Sequence, residues 1–226
     1  MPVRALLMDI DDTLFDFHRS SHAAFQDACR ACGTSFSTAL FARYEAVDAG
    51  FWQQFERGEI EKEALYTERF RVLFAEFSIR ADPAAFNAAY FASLGRQRYF
   101  MPHCEQVLPV LHEKYRIFIV TNGKTDIQLG RIAASGVGLY FDRVFISEQM
   151  GCKKPDRLFF DKVFAAIGED LRPGSILIGD SLTSDMQGGR NAGIRTCLYG
   201  SPARADGRCD YVVQDLAELP ALLARL

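Results

Sequence analysis

The sequence predicts an α/β fold with a Rossmann-like core, in which helices cover a parallel sheet and a helical segment is inserted after the first strand. Short apolar runs rich in β-forming residues recur at about 4–9, 116–120, 143–146, 175–179, 194–198 and 211–213. Helical patterns separate most of these runs, and this alternation is typical of a parallel sheet with both faces covered. The segment 16–92 breaks the alternation, because it contains several helical patterns and no convincing strand.

The first apolar run ends in residues that can carry chemistry, Asp9, Asp11 and Thr13. A short apolar run bounded by polar residues indicates a buried strand, and open α/β sheets place their active sites at the carboxyl ends of strands. Two carboxylates at such an edge repel each other strongly unless a cation lies between them. The same pattern also fits a strand followed by a plain acidic turn, and Asp12 has the character of a turn residue.

The segment 16–92 is interpreted as a helical domain inserted into a core made of residues 1–15 and 93–226. Thirteen of the nineteen Phe residues and the single Trp lie in residues 1–100. Five rings recur at helical spacing, which indicates that they form the insertion's own core. These rings are Phe51, Phe55, Phe70, Phe74 and Phe77. An insertion directly after the first strand is also placed to overhang the catalytic edge of the sheet.

The second apolar run ends in a hydroxyl and an amide, Thr121 and Asn122, followed by Gly123. These residues occupy the same kind of position as the acids after the first run, the carboxyl end of a predicted strand. A helical pattern follows, and Thr125 or Asp126 is expected to cap it.

Two further stretches complete the set of polar residues. Lys154 directly precedes Pro155, which is a favourable first residue of a helix, and Gly168 is a suitable end for that helix. The run at 175–179 ends in Asp180, and the chain continues to a second acid, Asp185.

In chain order these residues give an acid pair, a threonine, a lysine and a second acid pair. This order resembles the four-motif signature of the haloacid dehalogenase superfamily, and the resemblance extends from about residue 4 to about residue 213. It implies that the inserted segment is a helical cap that shields the phosphate and selects the leaving group. Dehalogenases of the superfamily lack an acid at the position of Asp11, so its presence resembles the phosphatase and phosphomutase branches.

The resemblance implies a role for each motif in phosphate-ester hydrolysis. Asp9 would be the nucleophile, and Asp11 would protonate the leaving oxygen and then activate water. Lys154 would offset the charge between Asp9 and the phosphoryl group. A hydroxyl and N–H groups at a strand end suit phosphate oxygens. The implied phosphate-binding residues are Thr121, Asn122, Gly123 and Lys154.

The resemblance also implies a Mg²⁺ cofactor, because all-oxygen ligands around a phosphate favour Mg²⁺ over zinc. The implied metal residues are Asp9, the backbone carbonyl of Asp11, Asp180 and Asp185. Asp185 would act through water or as a partner of a ligand. Alternatively, Asp185 is an acid at a helix N-terminus that interacts with the helix dipole.

A finer resemblance is to the pyrimidine 5′-nucleotidases that act on noncanonical nucleotides. It rests on residues 8–17, on 121–123 followed by Gln128, and on 147–151, 179–185 and 188–193. It predicts hydrolysis of nucleoside monophosphates such as UMP, dUMP or dTMP. Alternatives are a sugar-phosphate phosphatase, a phosphomutase, or a catalytically silent interaction module on the same fold.

Composition excludes several other classes of protein. The chain has 226 residues, 49% of them apolar and 24% charged, which is ordinary for a globular protein. Its net charge of -3 argues against a general nucleic-acid binder. No apolar run approaches the length of a membrane span, and no signal peptide is visible, so a cytoplasmic location is expected. The expected partner is a small phosphorylated metabolite, and the expected state is a monomer or homodimer.

Overall fold

One parallel sheet forms the centre of the larger of two structural units. The computed structural model describes residues 1–205 and 207–226. Within these residues six strands form the sheet, in the order β3-β2-β1-β4-β5-β6, and every neighbouring pair is parallel. The strands are β1 (Ala5–Met8), β2 (Arg116–Thr121), β3 (Arg143–Ile146), β4 (Ser175–Gly179), β5 (Arg195–Tyr199) and β6 (Tyr211–Val213). The six predicted runs and the α/β class are thereby confirmed.

Burial on both faces explains why the strand sequences are almost continuously apolar. Alternate residues of a strand point to opposite faces. Leu6 and Met8 accordingly pack in one hydrophobic cluster, whereas Ala5 and Leu7 pack in another. β1 and β4 are buried along their whole length. Such strands show little polar alternation, as expected of a parallel sheet covered by helices on both sides.

The second unit, residues 18–97, is helical, and the first unit comprises residues 1–17 and 98–226. The insertion predicted at 16–92 therefore stops short of the C-terminal end of this unit. Its helices are α1 (Phe17–Ala31), α2 (Thr38–Glu56), α3 (Lys62–Glu76) and α4 (Pro83–Leu94). The first residue of α1 belongs to the first unit. Ser37 and Asp82 cap α2 and α4 by accepting hydrogen bonds from backbone N–H groups.

Most rings of the helical unit form its own core. Phe55, Phe70 and Phe74 are buried, and Phe70 stacks on Tyr44 with ring centroids 5.3 Å apart. Phe77, in contrast, is 42% exposed. A buried ion pair between Arg69 and Asp48 (2.5 Å) lies among these rings. The interpretation of the ring pattern as internal packing is therefore confirmed for most of its members.

Helices and short turns connect the strands of the first unit. The helices are α5 (Cys104–His112), α6 (Thr125–Ser135), α7 (Ser147–Met150), α8 (Arg157–Ile167), α9 (Gln187–Ala192), α10 (Pro202–Ala205) and α11 (Leu219–Leu223). 3₁₀ turns occur at Val137–Tyr140, Glu169–Gly174 and Leu216–Glu218, and a π-helical turn occurs at Leu182–Met186. In the part of the chain that the structure describes, no helix is long and apolar enough to cross a membrane.

Two predicted helix starts are wrong. Lys124 occupies the N-cap position of α6, and the N–H of Thr125 donates to a carboxylate from α7, Glu148 (2.8 Å). A distant acid thus performs the capping expected of a local side chain. Helix α8 begins at Arg157 with Asp156 at its N-cap, so Pro155 precedes the helix. Its predicted end at Gly168 is confirmed.

Candidate active site

The polar residues predicted from the sequence gather at the carboxyl edge of the three central strands. Met8, the last residue of β1, is level with Ile119 in β2 and with Ile178 in β4. The residues that follow these positions therefore emerge side by side. The strand order also reverses at β1, and open α/β sheets place ligands at such a reversal.

Lys154 joins two of the predicted acids. Its ammonium donates to Asp9 Oδ1 at 2.7 Å and to Asp185 Oδ1 at 2.6 Å. Lys154 is 1% exposed and Asp185 is fully buried. Burial lowers the pKa of Lys154, but the charges of Asp185 and Asp9 outweigh this effect and raise it above its ordinary range. The lysine is therefore held as a cation between two carboxylates.

Asp9, Asp180 and Asp185 form a compact group of carboxylates. One oxygen of each lies within 4.8 Å of the others. Burial raises the pKa of Asp9 to about 7, because the lowering effect of Lys154 is smaller and Asp185 and Asp11 raise it further. Burial also raises the pKa of Asp180 well above its ordinary range, and Asp185 and Asp9 add to the effect. Three ionised carboxylates at these distances would repel one another strongly.

The side chain of Asn122 fixes the backbone of Lys154. Its Nδ2 donates to the Lys154 carbonyl (2.9 Å), and its Oδ1 accepts from the Lys154 N–H (3.0 Å). The end of β2 thereby holds the lysine that reaches Asp9. From the sequence, Asn122 is expected only as a phosphate-binding residue, and nothing in the local pattern indicates this second role.

Asp185 reaches back to the end of β4. Its Oδ2 accepts from the N–H of Ser181 at 3.1 Å, while its Oδ1 accepts from Lys154. It therefore accepts the N–H of the residue that caps the π-helical turn and also lies within the acid group. Gly179 makes room for it, because a Cβ at that position would lie 2.3 Å from Asp185 Oδ2.

The carboxylate of Asp11 lies outside this acid group and is held by α6. Its Oδ2 accepts from Gln128 Nε2 at 2.6 Å, and its Oδ1 accepts from Arg131. Both α6 side chains are buried. Asp12, with a positive φ of 53°, accepts from the N–H of Phe17 through its side chain and is the predicted turn residue.

Thr121 is prepared to donate a hydrogen bond. Its Oγ1 already accepts from the N–H of Gly123 (3.0 Å) and from Gln128 Nε2 (3.1 Å). A hydroxyl oxygen has two lone pairs, so these bonds leave its proton for an external acceptor. The N–H of Gly123, expected to face a phosphate, is used within the loop. A Cβ on Gly123 would lie 2.2 Å from Gln128 Nε2, so only glycine fits there.

Comparison with known proteins identifies the family. Residues 3–193 match the haloacid dehalogenase-like hydrolases. The chain belongs to this family. As a member it is an enzyme of the hydrolase class.

Individual relatives are consistent with this assignment. PynA of Streptococcus pneumoniae, a pyrimidine 5′-nucleotidase, is 37% identical over 195 residues, which cover 86% of this chain and 82% of PynA. YjjG of Escherichia coli, also a pyrimidine 5′-nucleotidase, is 29% identical over 223 residues, or 97% of each chain. The crystal structure of the HAD-hydrolase YfnB of Bacillus subtilis, described as bound to magnesium, superposes with a TM-score of 0.91 at 28% identity over 99% of both chains.

In this haloacid dehalogenase-like hydrolase, the site combines a cationic side chain, a buried acid group and a hydroxyl that can donate. Asp9, Asp180, Asp185 and Lys154 are brought together, and Asn122 joins them through the Lys154 backbone. Thr121 is linked through Gln128 to Asp11 instead. Asp11 is two residues from Asp9 but has separate partners. Arg131 was not predicted, because an arginine within a helical pattern usually indicates a solvated face.

Proposed function

We propose that the enzyme is a Mg²⁺-dependent phosphatase that forms an aspartyl-phosphate intermediate on Asp9. The observation that carries this proposal is the position of Lys154, whose buried ammonium contacts both Asp9 and Asp185. The ammonium of Lys154 lies beside Asp9, so it would also attract the negative charge of a phosphoryl group that approaches Asp9. Of the two acids that Lys154 contacts, Asp9 is the more exposed, at 8% against 0% for Asp185, so it is the one that a phosphoryl group can reach.

The proposed reaction has two steps. In the first, a carboxylate oxygen of Asp9 attacks the phosphorus, the bond to the leaving oxygen breaks, and Asp11 gives its proton to that oxygen. In the second, water attacks the phosphorus of the acyl phosphate, Asp11 accepts a proton of the water, and the bond between phosphorus and the Asp9 oxygen breaks. This releases inorganic phosphate and restores the Asp9 carboxylate. The Thr121 hydroxyl, whose lone pairs are both occupied, donates to a phosphate oxygen in each step.

The acid group fits a magnesium ion. Asp9, Asp180 and Asp185 offer hard oxygen donors within 4.8 Å of one another, and Mg²⁺ prefers such donors together with substrate phosphate oxygens. Burial, together with the neighbouring carboxylates, raises the pKa values of Asp9 and Asp180, and a bound cation would oppose both effects. Bound there, Mg²⁺ would supply charge neutralisation for the phosphoryl group. The carboxylate of Asp11 is not part of this group, so only its backbone carbonyl is proposed as a ligand.

The proposed substrates are pyrimidine nucleoside 5′-monophosphates. This part of the proposal is supported by PynA and YjjG, which are both pyrimidine 5′-nucleotidases. The phosphate-binding residues recognise a group that every phosphate monoester shares, so they do not distinguish nucleotides from sugar phosphates. Discrimination between leaving groups must come from other contacts, as for any enzyme.

A phosphate-release screen tests both levels of the proposal. We expect Mg²⁺-dependent release of phosphate from an aryl phosphate, and a higher kcat/KM for UMP, dUMP or dTMP than for hexose phosphates. Turnover that survives thorough chelation would contradict the metal assignment. A tenfold preference for a sugar phosphate, about 1.4 kcal/mol of transition-state binding, would contradict the nucleotide assignment alone. Isomerisation of a hexose phosphate without phosphate release would instead identify a phosphomutase.

A further inference from the structure

Two buried side chains of α6 hold the Asp11 carboxylate from both of its oxygens. Gln128 and Arg131, here called the α6 clamp, lie three residues apart on one face of the helix. Gln128 Nε2 donates to Asp11 Oδ2 at 2.6 Å, and Arg131 Nη1 donates to Asp11 Oδ1. Gln128 is 1% exposed and Arg131 is fully buried, whereas the Asp11 side chain is 29% exposed. The acid is therefore the end of the pair that solvent and substrate can reach, and the clamp is its buried support.

Packing fixes the clamp itself. The guanidinium of Arg131 lies over the ring of Phe15, 4.8 Å from its centroid, and Phe15 stacks on Phe100 at 5.1 Å. Phe15 belongs to the same turn as Asp11, because its carbonyl accepts from the N–H of Asp12 at 2.8 Å. Arg131 thus contacts both the carboxylate and the base of the loop that carries it. A charge buried this deeply requires a charged or polar partner, and Asp11 supplies one.

The clamp also connects Asp11 to the phosphate-binding hydroxyl. The same Nε2 of Gln128 donates one proton to Asp11 and the other to Thr121 Oγ1, at 3.1 Å. Arg131 Nη1 in turn donates to Gln128 Oε1 at 3.3 Å, which orients the amide. The close packing of Gln128 against Gly123 leaves no room for a Cβ there, so the amide has little freedom to rotate. Asp11 and Thr121 consequently share one rigid support.

We propose that Gln128 and Arg131 are positioning residues for the leaving-group step, because they orient the Asp11 carboxyl relative to the phosphoryl group that Thr121 binds. This inference rests on the proposed phosphatase function and adds two residues to it. A proton donor must lie within hydrogen-bond reach of the leaving oxygen. Loss of the clamp should therefore slow the reaction of substrates that need a proton far more than those that do not.

Two substrates with different leaving groups provide the test. A nucleoside leaves as a poor alkoxide that must be protonated, whereas p-nitrophenol leaves readily as an anion. For Arg131→Met and for Gln128→Met, we expect kcat/KM for UMP to fall on the order of 100-fold, the scale of general acid catalysis. For p-nitrophenyl phosphate we expect a fall of less than about fivefold, and Arg131→Lys should recover part of the UMP activity. Equal losses on both substrates, or no loss, would overturn the proposal.

A matched control exists elsewhere in the same unit. Arg116 also pairs with an aspartate, Asp142, and also lies over a ring, that of Phe118 at 4.9 Å, but its side chain is 51% exposed. Arg116→Met should leave kcat/KM unchanged for both substrates. If it reproduces the selective loss on UMP, the effect does not come from Asp11 and the proposal fails.

A double-mutant cycle measured by thermal unfolding distinguishes failure of the clamp from failure of the proposed function. Arg131→Met, Asp11→Asn and the double variant are compared with the wild type by thermal unfolding. Residues in direct contact give non-additive effects, so we expect the double variant to melt no lower than the less stable single variant. Additive losses would overturn the clamp. If the wild type hydrolyses neither substrate, the phosphatase proposal fails, and the double-mutant cycle alone decides whether the clamp exists.

Discussion

Replacing the proposed nucleophile, Asp9, with Asn should stabilise the metal-free protein while it abolishes turnover. Asp9 is buried, and burial raises its pKa from the ordinary 3.8 to about 7. In the unfolded chain the carboxyl ionises near 3.8, so between these two values the folded state retains a proton that the unfolded state releases. The free energy of unfolding therefore falls as pH rises through this window. The stability that the protonated Asp9 carboxyl contributes to the folded state is therefore lost above about pH 7.

The magnitude follows from the same two values. Raising the pKa of a carboxyl from 3.8 to about 7 corresponds to roughly 4 kcal/mol of stability lost by pH 8. Asn cannot ionise and therefore does not incur this cost. Lys154 keeps a charged partner in the variant, because it also contacts Asp185. We thus expect Asp9→Asn to exceed the wild type in free energy of unfolding at pH 8 by at most roughly 4 kcal/mol, an upper bound because the neighbouring acids readjust.

Urea unfolding in the presence of a chelator, at pH 5 and at pH 8, measures this effect. The difference between the variant and the wild type should grow with pH, and added Mg²⁺ should stabilise the wild type more than the variant. Asp126→Asn is a control, because that side chain is 85% exposed and its removal should change little. If Asp9→Asn is less stable than the wild type at pH 8 without metal, the attraction of Lys154 outweighs burial and the reasoning is wrong.

Two further substitution pairs test the geometry of the site. Lys154→Met should lower kcat/KM because it removes about 3 kcal/mol of transition-state stabilisation, the scale of a preorganised charged donor. Lys153→Met should change kcat/KM little. A reversed result would show that the wrong lysine is assigned. Gly179→Ala should abolish most activity, because the added Cβ lies 2.3 Å from Asp185 Oδ2. Gly50→Ala is the control, because its Cβ would meet nothing within 4 Å, and it should retain full activity. If both alanine variants retain activity, Asp185 can move without affecting the reaction.

The sheet could be predicted from the sequence because its signal is local. A strand buried on both faces must be apolar along its whole length, and the run at 175–179 coincides with β4. The helix starts were harder, because the group that satisfies a terminal N–H need not be nearby. The N–H of Thr125 finds its acceptor in Glu148, which lies on a different helix. Propensity at residues 125 and 126 carries no information about that contact.

The site was predictable to the extent that its residues follow strands. Asp9, Thr121 and Asp180 end strands that the sheet places side by side. The supporting contacts could not be predicted, because they join residues far apart in the chain. Gln128 and Arg131 reach Asp11 across more than a hundred residues, and Asn122 reaches the backbone of Lys154. Only tertiary packing determines which side of α6 faces the acid.

The charge of the acid group has a consequence for how the site accepts a phosphate. When ionised, Asp9, Asp180 and Asp185 carry three negative charges against the single positive charge of Lys154. Asp11 is paired with Arg131, but its negative charge still raises the pKa of Asp9. A phosphate dianion is repelled by a net negative site in a poorly solvated environment. For the proposed phosphatase reaction, these residues would become complementary to phosphate only after a divalent cation has neutralised the excess.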